Sequence, residues 1–212
     1  MNWNYRIAAA MADDKSYTNT GVVILAAGES SRLGSPKQLL IYSGATLLQH
    51  SIEVAQVSNA GPVFVVLGAN ADAIKHGLKT TTANVIVNAD WKEGMASTIR
   101  YGLQTLGETN PQVDAVIFMV ADQPFVTADL LNNLMDVNRK EQRSIVASKY
   151  GTIFGTPVLF AKRFFPELME LAGDVGAKSL VRKYMSETAF VSFPKGEIDI
   201  DTKEDYESLS KK

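Results

Sequence analysis

The residues best suited to chemistry lie between positions 25 and 38, in LAAGESSRLGSPKQ. Gly28 and Gly34 admit close backbone approach, the N–H groups of such a loop form an anion nest, and Arg32 and Lys37 add two cations. That combination suits phosphate, and a nucleoside triphosphate is its natural guest. The same residues would also make an ordinary βα turn with solvated charges. No GK followed by Ser or Thr occurs at Walker spacing, and the glycines are too far apart for GxGxxG.

Two acidic features complement this loop. Asp122, in VADQP, closes an apolar run and precedes Pro124. A carboxylate at the end of a strand there suits Mg²⁺, which takes one or two carboxylates and completes its shell from substrate phosphates and water. The alternative is a turn aspartate before proline. Farther on, Asp199, Asp201, Glu204 and Asp205 crowd EIDIDTKEDYESL. Glu204 and Asp205 fit a helix amino terminus capped at Thr202, whereas Asp199 and Asp201 lie upstream of the cap. One of these two is a candidate second metal ligand.

The elements that must position these groups follow from the pattern of apolar residues. GVVILAA at 21–27 is an unbroken apolar run without alternation, the mark of a parallel strand covered on both faces. Further strands are predicted at 63–67, 85–87 and 116–120, with helices at 46–57, 72–78, 97–106 and 128–138 between and after them. This alternation implies an α/β fold: three layers, Rossmann-like, with a mostly parallel sheet and crossover helices. If the strand order reverses between the first and fourth of these strands, Asp122 faces the loop at 28–37. Beyond residue 140 the regularity loosens. Short strands are predicted at 144–148 and 157–160, helical stretches at 164–171 and 177–184, and a last helix at 203–209. Residues 1–20 read as a poorly ordered extension, and 21–212 as a single domain.

Composition narrows the function. Among 212 residues, 46% are hydrophobic and 21% charged, enough for one sizeable core. The net charge is −2, from 21 basic against 23 acidic residues, and neither sign gathers into a face suited to nucleic acid. There are no cysteines and only two histidines, His50 and His76, so disulfides, thiolate metal sites and a three-histidine site are excluded. The two histidines read as surface or packing residues. A metal must be held mainly by oxygen, which favours Mg²⁺. No apolar run approaches the length of a membrane span, and a soluble, cytoplasmic protein is expected.

Taken together, LAAGESSRLGSPKQLL at 25–40, NADWKEGMASTIRYGL at 88–103, ADQPFVTADLL at 121–131, GTPVLF at 155–160, LAGDVGAKSLV at 171–181 and DIDTKEDYESL at 199–209 resemble the MobA-like nucleotidyltransferases. Within that family the chain is most similar to the molybdenum cofactor cytidylyltransferases. The resemblance implies a fold of the nucleotide-diphospho-sugar transferase type. It implies that Leu25, Ala26, Ala27 and Gly28 meet the nucleotide, that Arg32 and Lys37 contact its phosphates, and that Asn88, Gly94, Met95 and Ser97 lie by the base and ribose. Lys37, Arg32 and Asp122 would carry catalysis, Asp122 and Asp201 would hold Mg²⁺, and Gly155, Pro157, Gly173, Asp174 and Gly176 would face the acceptor. Alanine at position 27 looks like the cytidine type, where a glycine marks the guanine type.

The implied reaction moves CMP from CTP to the terminal phosphate of molybdopterin, with a molybdenum hydroxylase as the eventual recipient of the cofactor. Rival expectations are a GTP-using molybdopterin guanylyltransferase, a sugar- or alditol-phosphate nucleotidyltransferase, and a non-catalytic cofactor-delivery protein. A dinucleotide-dependent oxidoreductase shares the fold class but lacks its glycine spacing. The chain departs from the family pattern at Lys203, where proline is common, and at Lys178, where arginine is common and which cannot reproduce bidentate phosphate binding.

Overall fold

The computed structural model describes residues 19–209. The expected extension at 1–20 therefore lies outside the described residues except at its end, where Thr20 already opens the first strand and is buried. In chain order the strands are β1 (Thr20–Ala26), β2 (Ile41–Tyr42), β3 (Ala45–Thr46), β4 (Val63–Leu67), β5 (Asn84–Val87), β6 (Ala115–Val120), β7 (Ile145–Tyr150), β8 (Ile153–Ala161) and β9 (Thr188–Ser192). The helices are α1 (Leu47–Val57), α2 (Ala71–Gly77), α3 (Met95–Thr109), α4 (Ala128–Glu141), α5 (Phe165–Met169), α6 (Lys178–Lys183) and α7 (Lys203–Leu209).

Seven strands form one sheet in the order β5-β4-β1-β6-β8-β7-β9. From β1 the chain winds outward through β4 to β5, then returns to place β6 on the other side of β1, all parallel. The order thus reverses between β1 and β6, and ligands in such sheets sit beyond the carboxyl ends of the strands at that point. The register Leu25↔Val120 sets the residues after β1 beside Ala121 and Asp122.

The absence of alternation in β1 has its cause in helices on both faces. Val22, Ile24 and Ala26 pack with Leu48 and Ile52 of α1 and Leu131 and Leu134 of α4, whereas Val23 and Leu25 pack with Ile99 and Leu103 of α3. A fully buried aliphatic side chain contributes roughly 1.5–3 kcal/mol, so the centre of the sheet is held more firmly than its edge at β9, where Phe190 is 36% exposed. Gly102 brings α3 down onto the strands: a Cβ there would stand 2.6 Å from Val23 Cγ1 and 2.9 Å from Val66 Cγ2.

The second half of the sheet is built differently. β8 runs antiparallel to both β6 and β7, and β9 lies parallel to β7. β7 and β8 extend beyond the short strands expected at 144–148 and 157–160. A shift in their register at Ala147/Ser148 is braced by the Ser148 hydroxyl, which donates to the Pro157 carbonyl at 2.7 Å. The helix expected over 164–171 is instead a 3₁₀ turn (Lys162–Phe164) followed by α5, with Pro166 in the first turn of the helix. α3 begins at Met95 rather than Ser97. β9 and the β2–β3 hairpin, which turns at Ser43 (φ 50°) and Gly44 (φ 86°), were not expected.

Leu47, Ile200 and Leu209 form a satellite cluster with Leu40, Tyr42, Phe125 and Tyr206 packed against it. This cluster fastens the C-terminal segment beside the first loop and the loop after β6. Among the described residues no helix is long and apolar enough to cross a membrane.

Candidate active site

The loop after β1 is shaped by Gln38. Its side chain is buried, and its amide donates to the carbonyls of Ala26 at 2.8 Å and Gly28 at 3.2 Å. Ser30, at φ 58°, accepts from the Lys37 backbone N–H at 3.1 Å. Pro36 leads into a 3₁₀ turn, Lys37–Leu39, that aims Lys37 back across the loop. Gly28 faces open space where a Cβ would be, so a ligand can approach its backbone closely.

Lys37 Nζ donates to Asp122 Oδ2 at 2.5 Å and to Asp201 Oδ1 at 2.8 Å. Burial disfavours the charge on this amine, but Asp122 first and Asp201 second outweigh it and hold its pKa above the ordinary lysine value. The ammonium is therefore charged at neutral pH. Arg32, more exposed, reaches Asp201 Oδ2 at 3.3 Å.

The two carboxylates come from distant segments. Asp122 follows β6, and its carbonyl accepts from the Ile200 N–H at 3.0 Å, which joins the C-terminal segment to it. Thr202 and Asp205 form a reciprocal cap for α7. The Asp205 carboxylate accepts from the Thr202 N–H at 2.8 Å and hydroxyl at 2.7 Å, and the Thr202 hydroxyl accepts from the Asp205 N–H at 3.2 Å. These bonds lower the Asp205 pKa and leave that residue with a structural role. Asp201, rather than Asp199, is the residue brought to Lys37. Asp199 stands near, its pKa raised by burial and then by the charge of Asp122.

Among the described residues no group of three or more acidic or histidine side chains converges as a closed metal cage. What the structure offers is two carboxylates, Asp122 and Asp201, converging on one cation, Lys37 Nζ. That donor set fits Mg²⁺, which keeps several waters and binds through one or two carboxylates plus substrate phosphates.

Beside this cluster opens a cavity of about 690 Å³. Leu25, Ala27, Gly28, Gly94 and Met95 line it as expected, together with Trp91, Lys92, Glu29 and Thr98. Ala26, Asn88 and Ser97 do not form its wall. Asn88 and Ser97 are buried and bonded to each other at 2.9 Å, and the Ser97 hydroxyl also lies 2.9 Å from the carbonyls of Asp90 and Gly94, so the pair holds the loop before α3 in shape.

The residues expected to face the acceptor divide. Asp174 lines the large cavity instead, while Gly155 and Gly176 line a second one of about 210 Å³ that shares Leu25 and Met95 with the first. Pro157 serves the β7–β8 register shift. Gly173, at φ 62°, accepts from the Ala96 N–H at 3.0 Å and clamps its loop onto the start of α3. Gly94 permits that clamp: its φ is +100°, and a Cβ would stand 2.5 Å from Asp174 Oδ1 and 2.6 Å from the Gly173 carbonyl.

Sequence reasoning missed Gln38, Arg100 and Gln123. Arg100 donates to the Leu171 carbonyl and to Glu93, bracing both loops against α3. Gln38 and Gln123 are buried amides inside LGSPKQLL and VADQP, where position in a motif was the available signal. His50 donates to the Pro124 carbonyl at 3.0 Å and packs edge-on to Tyr42, steadying the loop that carries Asp122.

Comparison with known proteins agrees with this fold. Residues 22–188 match the MobA-like NTP transferase domain. The chain is 30% identical to the nicotine blue oxidoreductase of Paenarthrobacter nicotinovorans, over 76% of this chain and 80% of that protein. It is 28% identical to the purine catabolism protein PucB of Bacillus subtilis, over 88% and 94%. Among solved structures, Rv0371c of Mycobacterium tuberculosis superposes with a TM-score of 0.81 at 31% identity, covering 92% of this chain and 98% of that one. A manganese complex of Rv0371c superposes with a TM-score of 0.76 at 28% identity, over 91% and 98%. The chain belongs to the MobA-like NTP transferase family and is a nucleotidyltransferase of it.

Proposed function

We propose that the protein transfers CMP from CTP to the terminal phosphate of the molybdenum cofactor, molybdopterin, in a Mg²⁺-dependent reaction that releases pyrophosphate. The observation that carries this reading is the Lys37 ammonium held between Asp122 and Asp201 at the reversal point of the sheet, beside a cavity roomy enough for a nucleotide. Asp122 and Asp201 would hold Mg²⁺, which when bound screens phosphate charge and favours attack at the α-phosphorus. Lys37 and Arg32 neutralise the triphosphate, and the backbone at Gly28 lies against it.

The attacking group is a phosphate monoester, whose second pKa near ~6 leaves it largely ionised at neutral pH. One of its oxygens bonds to the α-phosphorus, the bond from that phosphorus to the α–β bridging oxygen breaks, and pyrophosphate leaves with the electron pair. No general base is required, and the protein's work is to position two anions and offset their charge. The site needs neither cysteine nor a catalytic histidine. Gly155 and Gly176, in the second cavity, would meet the acceptor, and a molybdenum hydroxylase would receive the product in the cytoplasm.

Ala27 favours CTP, because its methyl occupies room in the cavity that a purine would need. A redox role, as in the name of the nicotine blue relative, is the second reading; a paired-carboxylate cation site offers nothing to hydride transfer and favours phosphoryl chemistry. The test is pyrophosphate release from CTP and from GTP, each with Mg²⁺ and molybdopterin cofactor. Faster release from CTP is expected. Release from GTP alone would reassign the donor, and tight pterin binding without release from either would replace transfer by delivery.

A further inference from the structure

The second cavity is a cleft walled by Ile99, Phe118, Val120, Val158 and Val181, with two polar side chains of interest, Tyr150 and Lys178. At about 210 Å³ it has room for a flat ring system but not for a whole nucleotide. Tyr150 ends β7, and its hydroxyl lies over Gly155, where a Cβ would collide with it. Lys178 holds its ammonium 5.3 Å from the Phe154 ring centroid.

Gln123 fixes the tyrosine. One proton of its amide goes to the Gly196 carbonyl at 2.8 Å, and its carbonyl accepts from the Thr156 hydroxyl at 3.0 Å. The Gln123 side chain also bonds the Tyr150 hydroxyl, which lowers the phenol pKa. Burial and the nearby charge of Asp199 outweigh that bond and push the phenol pKa up. Tyr150 is thus a protonated phenol held at the edge of the cleft, its hydroxyl beside Gly155. Gln123 also follows Asp122 directly, so the residue that orients Tyr150 shares a loop with the proposed cation ligand.

We propose that Tyr150 is the hydrogen-bond donor that seats the acceptor: a flat, anionic heteroaromatic molecule whose ring fills the apolar cleft and whose anionic group takes a hydrogen bond from the Tyr150 hydroxyl, with Lys178 lining the same cleft. Gln123 is the positioning residue behind it. This rests on the reading of the protein as a nucleotidyltransferase with a second substrate.

The test is Tyr150→Phe, which keeps the ring and removes one hydroxyl. With molybdopterin cofactor and CTP, the acceptor KM rises about 10-fold or more, the size of losing a hydrogen bond to a charged group. Binding of CTP without acceptor stays as in the parent protein. Gly155→Ala, which pushes a methyl against the same hydroxyl, shifts acceptor KM in the same direction. An acceptor KM within twofold of the parent, or an equal loss of CTP binding, overturns the proposal. Direct binding of 6-carboxypterin, followed by its fluorescence, separates the two readings. If the parent binds this probe, Tyr150→Phe weakens it and no CMP is transferred, the donor role stands and the reaction assignment falls. If the parent does not bind it and Tyr150→Phe leaves acceptor KM unchanged, the donor role falls.

Discussion

The two cavities that share Leu25 and Met95 are made by opposite means. The larger is lined by Ala27, Gly28 and Glu29 of the loop that carries Lys37, and that lysine meets Asp122 and Asp201 from segments far apart in sequence, with Lys37 and Asp122 only 18% and 16% exposed. The smaller is mostly apolar, and polarity enters it through Tyr150, Thr156 and Lys178. In the first, energy is concentrated in a few charged contacts that are strong because they are partly withdrawn from water. In the second it is spread over many weak contacts. Single substitutions should therefore be far more damaging around Lys37 than in the cleft.

The largest effect is expected for Asp122→Ala. It removes one of two carboxylates for the cation and leaves Lys37 with Asp201 alone. Turnover should fall roughly 10³-fold or more, with the far-UV circular dichroism unchanged because Ile200 bonds the Asp122 backbone rather than its side chain. Near-normal Mg²⁺-dependent activity in the folded variant would remove Asp122 from the metal assignment.

Lys37→Ala sharpens the same comparison through a change of opposite sign. The KM for CTP should rise roughly 10- to 100-fold, since a charge-assisted phosphate contact is lost. Nucleotide-free Mn²⁺ binding, measured by calorimetry, should strengthen, because the ammonium that competes for both carboxylates is gone. Weaker Mn²⁺ binding would mean that the carboxylates need Lys37 to stay in place. Arg32→Ala should do much less, because that side chain is 73% exposed against 18% for Lys37, and screening reduces what its ion pair contributes.

The same contrast explains what could be read in advance. The parallel half was legible because β1, β4 and β6 are apolar runs covered on both faces, separated by helices with clear periodicity. Reversal between β1 and β6 then brings the first loop to Asp122. The second half depends on distant pairing. β9 pairs with β7 in the register Ile145↔Thr188, and its sequence TAFVS, half-exposed at an edge, carries no strong signal. β2 and β3 are two residues each, too short for any period to show. The helix expected over 164–171 begins instead as a 3₁₀ turn at Lys162 and ends at Met169, with Pro166 in the first turn of its α-helical part. Gln123 and Tyr150 stayed hidden because a buried amide bonding three separate segments exists only once those segments have met.

Glycine substitutions distinguish architecture from binding surface. Gly94→Ala should destabilise the fold by about 1–3 kcal/mol in urea titration, because its φ of +100° and its contact with the 173–174 loop both exclude a side chain. Gly28→Ala should leave stability within about 0.5 kcal/mol, since a Cβ there meets nothing. It should still raise the KM for CTP several-fold, because the methyl would enter the space proposed for the nucleotide.

The smallest effect concerns Ala27, and it is the one that bears on donor identity. Ala27 lines the large cavity while its backbone is fixed by the bond from the Ala69 N–H to its carbonyl at 3.0 Å. Gly68 packs against it so closely that a Cβ there would stand 2.8 Å from the Ala27 Cβ. Removing the methyl by Ala27→Gly gives a purine a little more room at a cost of roughly one methyl group, about 1 kcal/mol. The ratio of kcat/KM for CTP over GTP should therefore fall only several-fold, with activity retained. An unchanged ratio would move base selection to Trp91, Lys92 or Asp174, which also line the cavity, and a complete switch to GTP would show that the methyl alone sets the donor.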